Sequence, residues 1–385
     1  MNLSHYINNP HEFAILRHHD FFNHAGVSPL PRCAADALRH FARHYEDHAY
    51  LDSGFYKQIE ALRISAAAML NAQAAEIAFV KNTSEGIATV ANAIDWQPGD
   101  RIVTTNVEYP ANMYPWIDVS RRLGVELITV PEVTQPDGSR AVPLDALRTA
   151  LDHPRTRLLT LSHVEYASGQ RHDLATLGQV CRERNIRLCI DAIQSMGVLP
   201  IDVRAMNIDF LSADGHKWLL GPEGAGVLYC RRELLPTLRP LSVGWMNVID
   251  DQDYGHYDYT LKPDARRFEC GTHNVPGLLA FKASLELLLG LGIDDIAARL
   301  KLLTDHLITG LRDKGYQVIS PRNDEQWSGI VSFVSPRHDH QVIWRSLRAN
   351  HRTEIALREN RLRVSAHLYN TEEQLDRLLA NLPAH

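Results

Sequence analysis

From about residue 75 to 235 the chain alternates short β-rich apolar runs with amphipathic helical stretches, and this constrains the fold more than any other feature. "EIAFV" leads into "TSEGIATVANAI", and "RIVTTNV" into "PANMYPWIDVSRRLG". "VELITV" precedes "PLDALRTAL", and "TRLLTLSHV" precedes "DLATLGQVCRERN". "IRLCIDA", "IDFLSA" and "GVLYC" complete the strand set. Near-continuous apolar strands separated by helices predict an α/β fold with a mostly parallel sheet covered by helices on both faces.

Beyond residue 275 the pattern turns helical, then gives strands at "YQVIS", "GIVSFVS" and "RLRVSAHL". A last helix opens at "YNTEEQLDRLLANL", where Asn370 followed by Glu373 reads as a capping box. We expect a large α/β domain over residues 21–264. Residues 1–20 and 265–385 would form a smaller α+β domain.

The chain has 385 residues with charges of both signs interspersed and a net charge of −6. No long basic run marks a nucleic-acid surface. No apolar run is long enough to span a bilayer, and no signal peptide is read at "MNLSHYINNPHEF". The five cysteines, odd in number and without CxxC spacing, fit a reducing cytoplasmic location.

In open parallel sheets, ligands bind beyond the carboxyl ends of the strands, so the residues just after each apolar run carry the functional reading. Thr83 and Ser84 open a helix after "EIAFV", where free N–H groups and hydroxyls make an anion site. Taken alone, the two residues read first as simple N-caps. Asp191 ends a buried strand, with Gln194 three residues on. Such a carboxylate either caps the next segment or pairs with a buried cation, as the ring nitrogen of pyridoxal phosphate requires. Lys217 follows another strand in "SADGHKWLLGPEGAG". In a dry pocket a lysine loses part of its basicity and forms a Schiff base with a carbonyl, whereas most lysines are solvated. Lys217, Asp191 and the Thr83–Ser84 helix start together suit the two ends and the phosphate of one pyridoxal ring.

At "DAIQS", "ADGHKWLLGPEG" and "FECGTHN" the sequence resembles the class V aminotransferase superfamily of fold-type I pyridoxal-phosphate enzymes, whose members include cysteine desulfurases, C–S lyases and isopenicillin-N-epimerase-like proteins. The likeness runs from "FFNHAGVSPLP" to "LRVSAHLYNTEEQLDRLL". It implies that Lys217 carries the cofactor and moves protons at the substrate Cα. Asp191 would hold the pyridine nitrogen, Gln194 the ring hydroxyl, and Thr83, Ser84 and His216 the phosphate. Thr272 would reach the phosphate of a neighbouring subunit in a homodimer, and Arg363 would clamp a substrate carboxylate. On the substrate side, Asn23, His24, Trp245 and Arg358 are the further candidates.

Two departures from the desulfurase pattern stand out. The aromatic residue expected over the ring is Tyr109, in "NVEYPANMYPW", where desulfurases have a histidine. A desulfurase also attacks the substrate sulfur with a cysteine shortly before the Arg363 position. "HRTEIALRENRLRVS" has none, and no cysteine follows Cys270. The expected activity is therefore Cα chemistry on an amino acid, with β-elimination ahead of transamination or epimerisation. A non-catalytic cofactor-binding protein is the alternative from another class. His40, His44 and His48 share a helical face but read as solvated, so no metal site is expected.

Overall fold

The computed structural model describes residues 1–384. Its centre is a seven-stranded sheet built from β1 (Ile77–Val80), β2 (Arg101–Thr105), β3 (Glu126–Val130), β4 (Thr156–Ser162), β5 (Arg187–Asp191), β6 (Phe210–Asp214) and β7 (Gly226–Cys230). The order across the sheet is β1-β7-β6-β5-β4-β2-β3. Only β7 runs antiparallel to its neighbours. Every residue of β1, β6 and β7 is buried, as expected of strands covered on both faces.

The covering helices are α1 (Arg32–His48), α2 (Phe55–Leu70), α3 (Thr83–Ala93), α4 (Tyr114–Leu123), α5 (Leu144–Ala150), α6 (Leu174–Glu183) and α7 (Val275–Leu291). One apolar cluster joins α2, α6 and α7 to one face of the sheet, through Leu62, Leu177, Leu211 and Phe281. A second joins α3 and α4 to the other face, through Ile87, Trp116, Leu158 and Phe210. Both faces are thus sealed, and polar function is confined to the strand ends.

The second sheet is antiparallel, with β8 (Gln317–Val318), β9 (Ile330–Val334), β10 (Ala356–Arg358) and β11 (Arg361–Ser365) in the order β8-β9-β11-β10. It packs with α8 (Ile293–Asp313), α9 (His340–His351) and α10 (Glu372–Asn381) around Phe333, Leu303, Leu347 and Leu378. α7, placed with this smaller unit in the sequence reading, lies instead in the first cluster. Its apolar residues cover nearly the whole helix circumference, so it must be enclosed, and α1 and α2 enclose it.

The capping box of α10 is also one residue later than expected. Thr371 accepts from the Gln374 N–H, and the Gln374 side chain accepts from the Thr371 N–H. Asn370 faces inward instead, with its carboxamide oxygen on the His367 N–H and its nitrogen on the Phe21 carbonyl. It ties the C-terminal helix to the segment that enters the cleft.

Candidate active site

The carboxyl ends of β4, β5 and β6 lie side by side, since Ser162 pairs with Asp191 and Asp191 with Ser212. They open into a cleft of about 820 Å³. Lys217, Asp191, Gln194, Thr83, Ser84, Tyr109, His216, Asn23, Arg358 and Arg363 all line it. Residues that are up to 340 positions apart in sequence, Asn23 and Arg363, meet at one wall.

Lys217 stands three residues beyond the end of β6, in a turn rather than on the strand. Its carbonyl is held by the Ser28 hydroxyl at 2.6 Å and by the Leu220 N–H at 3.0 Å. The Ser28 N–H donates to the His216 carbonyl at 2.8 Å. The N-terminal segment therefore clamps the lysine loop from outside. Sequence reading missed Ser28, because nothing local links it to residues nearly two hundred positions away. Burial lowers the Lys217 amine to about 8, opposed by Asp191 and helped by Arg363. Its ammonium lies 5.3 Å from the centre of the Tyr109 ring.

Asp191 is buried, with the Ile193 N–H on one carboxylate oxygen at 3.0 Å. Burial raises its pKa to about 6, against the stabilising pull of that N–H and of Lys217. A carboxylate so poorly compensated is built to meet a further cation. Gln194 gives one amide hydrogen to the Ala25 carbonyl and takes the Trp218 indole N–H, leaving one amide hydrogen for the cleft.

At the other end, Asn82 caps α3 by accepting from Glu85, so Thr83 and Ser84 are not the caps. They occupy the first helical turn, where backbone N–H groups are left unpaired. The Thr83 hydroxyl accepts from the Asp214 N–H at 3.0 Å, locking the helix start against β6. Gly86 permits that approach: a Cβ there would lie 2.1 Å from the Ser212 hydroxyl. His216 Nδ1 sits 2.9 Å from Asp214 Oδ2 in an alignment that makes no hydrogen bond, and Asp214 Oδ1 is buried without a partner. Unpaired donors at a helix start, an unsatisfied acid–imidazole pair and an under-compensated acid beside a lysine fit the phosphate, ring and aldehyde of pyridoxal phosphate.

Arg363 is buried and meets no carboxylate among the described residues. It donates to the Tyr166 carbonyl at 2.7 Å and reaches Asn23 Oδ1 at 3.5 Å, while its Nε has no partner. Burial and the nearby Arg358 lower its pKa to about 9. A guanidinium in that state needs an anion.

Three predicted residues lie elsewhere. His24 is fully buried beside the cleft, with Nδ1 on the Ser365 carbonyl at 2.7 Å and Nε2 on the Tyr369 hydroxyl at 2.6 Å. Both ring nitrogens are occupied, so it holds the N-terminal segment against β11 and is not a substrate contact. Trp245 sits in an exposed turn near Tyr254. Thr272 lines a separate groove of about 620 Å³ with Cys270 and His273. That groove and the cleft share Gly224. His44 bonds the Leu51 carbonyl, and no group of three or more metal-binding side chains occurs among the described residues.

The family comparison decides the identity. The sequence profile of aminotransferase class-V matches residues 21–378. The chain belongs to the class V aminotransferase family. It is a pyridoxal-phosphate-dependent enzyme of the cysteine desulfurase and C–S lyase group within that family, on the fold-type I scaffold.

A probable cysteine desulfurase of Methanothermobacter thermautotrophicus is 30% identical, with 95% of this chain and 94% of that protein covered. A cysteine desulfurase of Klebsiella pneumoniae is 31% identical over 94% and 92%. Among solved structures, the cystine C–S lyase C-DES in complex with its product cysteine persulfide superposes with a TM-score of 0.87 at 26% identity, covering 96% of this chain and 98% of that one.

Proposed function

We propose that this class V enzyme catalyses β-elimination at the C–S bond of an amino acid without forming a persulfide on its own chain. One observation carries the reading. β10 and β11 pair Arg358 directly with Arg361, so only Glu359 and Asn360 separate them. Both have positive φ, 48° and 58°, the geometry of the tight two-residue hairpin turn. The place where a desulfurase carries its cysteine loop is a minimal turn, and Cys270 lies in the other groove. Lys217, Asp191, Gln194, Thr83, Ser84 and His216 meanwhile line one cleft, which supports the cofactor reading.

Bound pyridoxal phosphate supplies an electron sink for the charge left at Cα. The remaining work falls to named residues. Thr83, Ser84 and His216 would hold its phosphate, Asp191 its ring nitrogen, Gln194 its ring hydroxyl, and Tyr109 would cover its face. Arg363 orients the substrate carboxylate with its free Nε and Nη edge, assisted by Asn23. Lys217, held by Ser28, takes the proton from Cα. Once Lys217 has taken that proton, loss of the sulfur group with its bonding electrons would complete the elimination, and the Glu359–Asn360 turn holds no cysteine to take the sulfur. Hydrolysis of the released enamine by solvent water would then give a keto acid and ammonia, beside a thiol or sulfide.

A homodimer with shared sites belongs to the same reading. Thr272 lies in its own groove, and Val243, Ile249, Tyr254, Tyr257 and Tyr259 expose apolar surface on the segment before it. Five unpaired cysteines support a reducing, cytoplasmic setting. The test is mass spectrometry of the enzyme after turnover of L-cysteine without reductant. An unmodified chain supports the reading; a cysteine carrying an added sulfur refutes it.

A further inference from the structure

Beneath the cleft wall lie two carboxyl groups that the proposed mechanism does not use. Glu108, just after β2, and Glu165, just after β4, are both buried. Each immediately precedes a cleft residue, Tyr109 and Tyr166, whose rings meet edge to face at 5.2 Å. The single hydroxyl of Thr105 lies 3.3 Å from Glu108 Oε1 and 3.2 Å from Glu165 Oε1. One hydroxyl hydrogen serves only one of them, so the other contact exists only if that carboxyl brings its own proton.

The surrounding donors show which one does. Glu108 accepts from the Ser162 N–H at 2.8 Å, the Ser162 hydroxyl at 2.7 Å and the Asn112 amide at 2.9 Å. Glu165 has His172 Nε2 at 3.0 Å and no partner at all on Oε2. A bare buried oxygen is tolerable on a neutral acid and costly on an anion.

We infer that Glu108 and Glu165 hold one shared proton through Thr105, with Glu165 the neutral member, and that this pair positions Tyr109 and Tyr166 at the cleft.

The surroundings raise both acids, so the pair retains a proton, and the donors around each carboxyl decide which one holds it. Burial raises Glu165 to about 8, with Glu132, Asp191 and Glu359 adding repulsion, and burial and Glu165 raise Glu108. The facing histidines are neutral: burial lowers His172 to about 4 and His163, which also feels Arg171, to about 3. Arg361 and Arg140 both bind Glu132, while Arg363 donates to the carbonyl of Tyr166, the residue after Glu165. Deprotonating Glu165 would place two buried anions on either side of Thr105 and push the two tyrosine-bearing turns apart.

The effect on Tyr109 as a ring cover rests on the cofactor reading; the shared proton does not. The experiment is infrared titration of the holoenzyme, following the carbonyl band of a protonated carboxyl from pH 6 to 9. The band is expected to persist at neutral pH, to vanish with rising pH, and to be absent from Glu165→Gln. That variant should keep turnover within about threefold of wild type and lack the alkaline decline expected of wild type. Glu108→Gln, which removes the anion, should instead lose activity more than tenfold. Absence of the band in wild type at pH 6, or its survival in Glu165→Gln, overturns the inference without bearing on the reaction type. If Glu165→Gln does not fold, the wild-type titration alone decides.

Discussion

The Lys217 ammonium lies 5.3 Å from the centre of the Tyr109 ring, with Asp191 lining the same cleft. In the proposed function these would serve as nucleophile, ring cover and ring-nitrogen partner, with the start of α3 at the phosphate end. Lys217→Ala is expected to lose the covalently held cofactor and its visible absorbance, and turnover by roughly 10²–10⁴-fold, the usual weight of a positioned proton carrier. Absorbance spectra and steady-state rates check both.

Cofactor loading should depend on pH with a defined sign. Only the neutral amine attacks an aldehyde, and burial has lowered Lys217 to about 8. Reconstitution of cofactor-free enzyme should therefore speed up as pH rises through about 8 and level off above it. A midpoint near the ordinary lysine value of about 10.4 would show that the amine is not buried as described.

Arg363 offers its charge to an anion and has no internal carboxylate among the described residues. Arg363→Ala should raise KM for the amino acid by about 10–150-fold, the equivalent of a charged hydrogen bond of about 1.5–3 kcal/mol. Arg363→Lys should recover only part of this, because the planar fork is lost. Comparing KM and kcat in the two variants separates substrate binding from chemistry.

His24 should behave in the opposite way. Its ring bridges the Ser365 carbonyl and the Tyr369 hydroxyl in a fully buried site. His24→Ala leaves the Tyr369 hydroxyl without this partner and the Ser365 carbonyl with only the residue-24 backbone N–H, and should cost about 2–4 kcal/mol of stability. Thermal unfolding should show the loss, with KM little changed below the transition.

Shared sites predict complementation. If Thr272 serves the neighbouring subunit, mixing Lys217→Ala with Thr272→Ala protein should restore activity, since hybrid dimers contain one site free of both lesions. No gain on mixing would place each site within one chain.

The strand–helix alternation made the central sheet legible, because buried parallel strands carry long apolar runs and tight boundaries. That Lys217 and Asp191 would meet in one cleft was legible from their places at and just beyond strand ends, whereas Arg363, in mid-strand, was reached only through the family resemblance. His24 was misplaced for a physical reason: a sequence does not show that Ser365 and Tyr369 will close on both of its nitrogens. Glu108 and Glu165 escaped notice for a related one. Isolated carboxylates read as solvated until the fold brings them to the same threonine. Ser28 likewise acquires its role only when the N-terminal segment folds back across the lysine loop.

The most direct measurement is product analysis with L-cysteine and L-cystine, following pyruvate, ammonia and alanine alongside the cofactor spectrum. C–S elimination predicts pyruvate and ammonia in equal amounts, with the original spectrum restored after each turnover. Alanine as the main product, or a keto acid with the cofactor left in its amine form, would contradict it.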